Sequence, residues 1–121
     1  MVDDDQFLLN MYAVKMAASG FDVSTASSGE MTLRKLREGY IPEVIILDIV
    51  MPGMDGLELL ENIRQGKLAE KAIVIILTNQ SHSADVERAK KLGVSGYIVK
   101  ASSIPSEVLE EVQKIIKKSN I

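Results

Sequence analysis

Residues 44–56 read VIILDIVMPGMDG, and this stretch decides the fold that the rest of the chain must complete. Val44, Ile45, Ile46 and Leu47 are consecutive aliphatic residues, and Asp48 follows them directly. An aliphatic run without polar alternation is typical of a strand in a parallel sheet covered by helices on both faces. We therefore predict a buried strand over residues 43–48, with the Asp48 carboxylate at its end.

Three further β-rich runs recur along the chain: FDVSTA at 21–26, AIVIILT at 72–78 and SGYIVK at 95–100. Segments with helical periodicity lie between them, as with Phe7, Met11, Val14 and Ala18 in the first such segment. Alternating strands and helices predict an α/β, doubly wound parallel sheet with helices on both faces. Asp5 and either Ser27 or Ser28 are the expected N-caps of the first two helices, and Pro105 suits the first turn of the last helix.

Composition bounds the class of protein. The 121 residues are 46% hydrophobic and 26% charged, which is ordinary for one globular domain, and we expect a single domain without an output domain over residues 1–121. The start MVDDD is unlike a secretory signal, cysteine is absent, and no apolar run approaches the length of a membrane span. A net charge of -3 argues against direct nucleic-acid binding. We expect a cytoplasmic protein with neither a membrane nor a nucleic acid as partner.

Polar side chains follow the predicted strands. Asp3 and Asp4 come after Val2, and Asp48, Thr78 and Lys100 end the later aliphatic runs; in a parallel α/β sheet these ends meet at one edge, where ligands bind. Carboxylates held close together repel unless a cation or a raised pKa relieves them. Mg²⁺ prefers oxygen ligands of this kind, and such a site would also hold phosphoryl oxygens.

With these residues in order along the chain, the sequence resembles the receiver domain of two-component response regulators, including the chemotaxis regulators, over nearly its whole length. The resemblance rests on the acidic pair Asp3 and Asp4, Asp48 within LDIVMPGMDG, Thr78 within ILTNQ, and Lys100 within GYIVK. It implies a five-stranded sheet in the order 2-1-3-4-5. It also implies a regulatory phosphoacceptor in a phosphorelay rather than an enzyme with a separate substrate.

The resemblance implies a role for each matching position. Asp48 would accept a phosphoryl group from a histidine kinase or phosphotransfer protein. Mg²⁺ would be held by Asp4, Asp48 and the main-chain carbonyl of Val50, with Asp3 assisting through water. Thr78 and Lys100 would contact the phosphoryl oxygens. Tyr97 would act as a switch together with Thr78, and the output face would be the fourth helix, fifth strand and fifth helix (residues 84–93, Tyr97 and residues 108–118), where a dimer is possible.

The sequence departs from the family pattern in three places. Only Met1 and Val2 precede Asp3, so we expect an unusually short first strand and reduced stability. Ala101 follows Lys100 where the family commonly has a cis proline, and we expect a trans bond there because a cis bond before alanine costs about 3 kcal/mol. Asn79 follows Thr78 where a small residue is usual, and we expect it to crowd the entrance for the phosphodonor.

Other interpretations stay open. Asp48 could begin an ordinary turn, Asp3 could belong to a solvated acidic cluster, and Thr78 and Lys100 could be an unremarkable strand end and a surface charge. A pseudo-receiver would keep the fold and act through contacts without being phosphorylated. A magnesium phosphatase of the haloacid dehalogenase type also uses a strand-end aspartate, but it expects a second aspartate where Val50 stands.

Overall fold

The computed structural model describes residues 1–100 and 104–119 and has the predicted alternation of strands and helices. In chain order the elements are α1 (Gln6–Ala18), α2 (Gly29–Arg37), β1 (Val44–Leu47), α3 (Gly56–Gln65), β2 (Ile73–Thr78), α4 (Ser83–Lys91), β3 (Gly96–Val99) and α5 (Pro105–Ser119). In the described part of the chain, no helix combines the length and the apolar character that crossing a bilayer requires. The bond before Ala101 lies outside the described residues.

The three strands form a parallel sheet in the order β1-β2-β3. Val44 pairs with Ile73 at the start of β1, and Ile75 pairs with Gly96 at the start of β3. Because the strands are parallel and nearly in step, their carboxyl ends lie along one edge of the sheet. The predicted strands at 43–48, 72–78 and 95–100 are confirmed to within one residue at each end.

Successive strand residues face opposite layers of helices. Ile45, Leu47, Val74 and Ile76 belong to one buried cluster, which they share with apolar residues of α2, α3 and α4. A second cluster joins the alternate strand residues to α1 and α5; it contains Tyr12, Met16, Ile46, Ile75, Leu77, Ile98, Val108 and Val112. Aliphatic residues on both faces explain why the strands lack polar alternation, and the predicted sheet with helices on both sides is confirmed.

The helix N-termini follow from local sequence. The Asp5 side chain accepts a hydrogen bond from the Leu8 N–H at 3.2 Å, and the Ser28 hydroxyl accepts one from the Met31 N–H at 3.2 Å. Each bond satisfies a backbone donor that the first helical turn leaves free. Both caps and the position of Pro105 as the first residue of α5 confirm the expectations from the sequence.

The first two strands of the expected five-stranded sheet are reduced to isolated bridges. Val2 forms parallel bridges to Ala26 on one side and to Leu47 on the other, which places Val2 between residue 26 and β1. The prediction of a stunted first strand is therefore confirmed. The prediction of a full strand at 21–26 is wrong for residues 21–25, because Met1 and Val2 are too short a partner to extend the ladder beyond Ala26.

Candidate functional site

The polar residues predicted to share one edge lie in one cleft at the carboxyl ends of the strands. Asp48 follows β1, Thr78 ends β2 and Lys100 follows β3, while Asp3 follows the Val2 bridge. A cavity of about 370 Å³ is lined by these four residues together with Asp4, Val50, Asn79 and Gln80, among others. The sheet geometry thus gathers residues that are far apart in the sequence.

Lys100 is the cation at the centre of this cleft. Its Nζ lies 2.6 Å from Asp3 Oδ2 and 3.2 Å from Asp48 Oδ2. Burial by itself would lower the pKa of Lys100, but the hydrogen bond to Asp3 and the charges of Asp48 and Asp3 raise that pKa on balance. Lys100 therefore remains an ammonium ion that pairs with two buried carboxylates and offsets half of their negative charge.

The acidic residues form a compact cluster. Asp3 and Asp48 are only 2% and 8% exposed, whereas Asp4 lies at the surface. One carboxylate oxygen from each of the three lies within 4.8 Å of the others. Three hard anionic oxygens at this spacing suit a small divalent cation, and the exposed Asp4 leaves the cluster open to solvent. The chemistry of the donor set therefore fits Mg²⁺.

The loop after β1 fixes the carboxylate of Asp48. The Val50 N–H lies 3.4 Å from Asp48 Oδ1, and the Gly56 N–H donates to the Ile49 carbonyl at 2.9 Å. A Cβ on Gly56 would overlap the Asp48 carbonyl oxygen, so only glycine lets α3 begin this close to the strand end. Gly53 has φ +76° in the same loop, a left-handed conformation that favours glycine. The MPGMDG sequence therefore holds the loop in place beside Asp48.

Thr78 and Tyr97 are linked through the backbone of Gln80. The fully buried Thr78 accepts a hydrogen bond at Oγ1 from the Gln80 N–H at 3.3 Å, and the Tyr97 hydroxyl donates to the Gln80 carbonyl at 2.6 Å. Burial, with the negative charges of Asp85 and Asp48, raises the pKa of Tyr97, so the hydroxyl keeps its proton for this bond. Movement of the loop at Gln80 would therefore be felt at both side chains.

The sequence did not assign three residues of this region to the candidate site. Gln80 acts through its backbone, which leaves no trace in residue type. Asp5 donates its N–H to Asp3 Oδ1 at 2.9 Å in addition to capping α1. Tyr12, 3% exposed on α1, lies near enough to Lys100 and Asp3 for their charges to act on its pKa, which burial raises on balance. Only its helical spacing from Asp5 (i, i+7) could have indicated Tyr12.

Comparisons with known proteins agree with this geometry. Residues 1–113 match the family described as the response regulator receiver domain. The alkaline phosphatase synthesis transcriptional regulatory protein PhoP of Bacillus subtilis is 35% identical over 121 residues, which are 100% of this chain and 49% of that protein. The nitrate/nitrite response regulator protein NarL of Escherichia coli K12 is 34% identical over 116 residues, 94% of this chain and 52% of that protein. This chain therefore spans about half the length of these curated relatives.

Solved structures share the fold. The chemotaxis protein CheY4 of Vibrio cholerae superposes with a TM-score of 0.83 at 27% identity, covering 94% of this chain and 93% of that one. A CheY-like receiver domain protein from Methanospirillum hungatei superposes with a TM-score of 0.86 at 24% identity, covering 98% and 92% of the two chains, and bears on the fold alone.

Proposed function

The chain belongs to the response regulator receiver domain family, and on that premise we propose that it accepts a phosphoryl group on Asp48. The donor would be the phosphohistidine of a histidine kinase or phosphotransfer protein. A carboxylate oxygen of Asp48 attacks phosphorus and forms the new O–P bond. The P–N bond breaks, its electron pair goes to the donor imidazole, and the product on this chain is an acyl phosphate.

The neighbouring residues would balance charge during that transfer. Asp4, Asp48 and the main-chain carbonyl of Val50 would hold Mg²⁺, with Asp3 assisting through water. When bound, the ion neutralises charge on the phosphoryl oxygens. The Lys100 ammonium is already 3.2 Å from Asp48 and would pair with a phosphoryl oxygen, while the Thr78 hydroxyl would donate to another.

Signalling would follow from the link through Gln80. If the Thr78 hydroxyl turns to the phosphoryl group, the loop after β2 moves with it, and the Tyr97 hydroxyl loses or changes its acceptor on Gln80. Phosphorylation can shift the population only because these contacts differ between the two states. The output face would comprise α4, β3 and α5, and would contact a downstream protein or a second copy. The setting we propose is the cytoplasm.

The single observation that supports this proposal most strongly is the cluster of Asp3, Asp4 and Asp48 with Lys100 bound to two of its carboxylates. The test is intact mass spectrometry after incubation with acetyl phosphate and Mg²⁺. We expect the native chain to gain the mass of one phosphoryl group and Asp48→Ala to gain none. Asp22→Ala, which removes an exposed carboxylate far from the cleft, is the matched control and should react like the native chain.

An unmodified native chain would overturn the proposal and favour the pseudo-receiver. Equal labelling of native chain and Asp48→Ala would place the phosphoryl group on another residue. Omitting Mg²⁺ should slow the gain of mass strongly if the acidic cluster binds the ion as proposed.

A further inference from the structure

Helix α4 is joined to the rest of the domain by few apolar contacts. Of its nine residues, all of which the structure describes, only Ala89 is buried, and Val86 is half-buried beside it. The neighbouring helix α3 buries five residues, among them Leu59 and Ile63. A single methyl group gives neighbouring side chains little to interlock with, so apolar packing holds the register of α4 against α3 only weakly.

Two arginines hold α4 in its observed register. Arg88 of α4 donates from Nε and Nη2 to Glu61 Oε1 of α3, at 3.0 Å and 2.6 Å. Arg64 of α3 donates from Nε to the Leu92 carbonyl at 3.0 Å, and from Nη2 to the Gly93 carbonyl at 3.3 Å. Both contacts join α3 to the second half of α4 or to the turn that follows it. The position of α4 along α3 is therefore set mainly by polar contacts.

The first turn of α4 lacks a comparable anchor among the described residues. Residues 81–84 are exposed, and the N-cap residue His82 makes no side-chain capping bond. Just before this turn lies Gln80, whose N–H and carbonyl bond the side chains of Thr78 and Tyr97. The end of α4 beside the cleft can therefore follow a movement of Gln80, while the polar contacts act on the far end.

Glu58 offers Arg88 a second acceptor, nearer to the carboxyl edge of the sheet, where α3 begins. Glu58 lies three residues before Glu61, so the two side chains leave the same face of α3 about 4.5 Å apart along its axis. Glu58 is exposed, and within the described part of the chain its carboxylate forms no salt bridge. The hydrogen bond to Glu61 raises the pKa of Arg88, and burial opposes that rise. The charges of Asp55 and Glu58 add to it, so the guanidinium lies within the field of the second acceptor.

We propose that α4 has two registers against α3, and that Arg88 passes from Glu61 to Glu58 when α4 moves toward the cleft. What drives the movement rests on the proposed function: a phosphoryl group on Asp48 draws the loop at Gln80 inward, and α4 follows. The long Arg88 side chain covers part of the distance by a change of rotamer, so the helix moves by less than one turn. Two carboxylates one turn apart give two discrete positions rather than a continuous drift.

The first test records the ¹⁵N–¹H amide signals of residues 84–91 in the unphosphorylated chain. Glu61→Gln weakens the observed register and should raise the ratio of the second register to the first about two- to fivefold, whereas Glu58→Gln should lower that ratio. Because exchange averages two states, the signals of the native chain and both variants should fall on one line, with the native chain between the variants. Arg64→Met releases the end of α4 and should act in the same direction as Glu61→Gln. In an Arg88→Met background, Glu61→Gln and Glu58→Gln should no longer move the signals.

The second test measures the rate of labelling by acetyl phosphate with Mg²⁺. Glu61→Gln should be labelled about two- to fivefold faster than the native chain and Glu58→Gln more slowly, because a ligand selects the register that favours it. Glu70→Gln, which neutralises an exposed carboxylate in the loop after α3, is the control and should match the native chain.

The two tests fail separately. The two registers are overturned if the amide signals of Glu61→Gln and Glu58→Gln move in the same direction, or if they still move in the Arg88→Met background. Equal labelling rates of these two variants would overturn the link between register and phosphorylation. An unlabelled native chain whose amide signals follow the expected line would instead overturn the proposed function and confirm the two registers.

Discussion

The two ends of the sheet are built from the same strands and differ in almost every physical respect. At the carboxyl end, Asp3, Asp48 and Lys100 are buried together as a bonded ionic group. Among the described residues, every buried side-chain nitrogen and oxygen has a hydrogen-bond partner. At the amino end, a cavity of about 510 Å³ lies beside Met1 and is lined by both apolar and charged residues. The contrast shows that the described side chains pair with one another at the carboxyl end and leave open space at the amino end.

The first three residues, Met1 to Asp3, are enough to complete the ionic group at the carboxyl end. Val2 bridges residue 26 and β1, which sets the position of Asp3 against Lys100. The amino end has no equivalent shortcut, because filling it requires a segment of several residues. The following changes test two expectations: that the carboxyl end is tightly packed, and that the amino end has space left to fill.

The largest expected effect comes from Gly56→Ala at the tightly packed end. The new Cβ would overlap the Asp48 carbonyl oxygen, a backbone atom that cannot turn away. We expect the free energy of unfolding to fall by about 4 kcal/mol or more, measured by urea denaturation. Gly29→Ala is the control, since its Cβ meets the flexible Met54 Sδ at 2.9 Å, and we expect a loss nearer 1 kcal/mol. Equal losses would mean that the loop at Asp48 yields easily.

Lys100→Met should have the next largest effect. Without the ammonium, Asp3 and Asp48 are left buried with no cation between them, and we expect a loss of about 3 kcal/mol in Mg²⁺-free buffer. Added Mg²⁺ should recover more stability in this variant than in the native chain. Lys90→Met, which removes an exposed lysine 3.7 Å from Glu87, should change stability by less than about 0.5 kcal/mol. If Mg²⁺ changes the free energy of unfolding of neither variant, the proposed Mg²⁺ site is contradicted.

Filling the incomplete end should stabilise the fold. Joining the residues Val-Ile-Ile-Val before Met1 would place apolar side chains against both helix layers and supply backbone partners for Val44. We expect a gain of about 2 to 3 kcal/mol, or a melting temperature higher by about 10 °C. A Ser-Asn-Ser-Asn extension of equal length is the matched control and should raise the free energy of unfolding only slightly. If the native chain melts cooperatively at a higher temperature than the chain with the aliphatic extension, the backbone groups at the amino end of the sheet already have partners.

The smallest effect concerns the Met1 amine, which borders the cavity. Burial, together with repulsion from Lys35, lowers its pKa from 8.0 to about 6. Between these values the unfolded chain binds more protons than the folded one, so stability should rise as pH increases from 6 to 8, by about 1 to 2 kcal/mol. N-terminal acetylation should remove this slope. Intact mass must first show that Met1 is retained, and a slope that survives acetylation would assign it to other groups.

Much of the fold was predictable because its determinants are local. The aliphatic runs at 44–47 and 73–78 predict buried strands wherever they stand in the chain, and Asp5 and Ser28 lie next to the helix starts that they cap. The strand predicted at 21–26 failed because a strand needs a partner, and that partner is supplied by Met1 and Val2, which are distant in sequence.

The sequence predicted which residues form the candidate site, but not the contacts that these residues make with one another. Strand-end positions indicated that Asp3, Asp48, Thr78 and Lys100 would meet at one edge, since parallel strands end together. The sequence did not indicate that Lys100 contacts both carboxylates, because side-chain reach depends on loop paths. The link from Thr78 to Tyr97 through Gln80 uses a main-chain N–H and carbonyl, which every non-proline residue offers.

The ion pair between Lys100 and Asp3 joins positions 97 residues apart in the chain, and this has a consequence for biosynthesis. A ribosome adding about 5 to 20 residues per second releases Asp3 roughly 5 to 20 s before Lys100 can reach it. During that interval Asp3 lacks the lysine that pairs with it in the folded chain. The cleft is thus among the last parts to be finished, and an interrupted translation product would display Asp48 without the lysine that balances it.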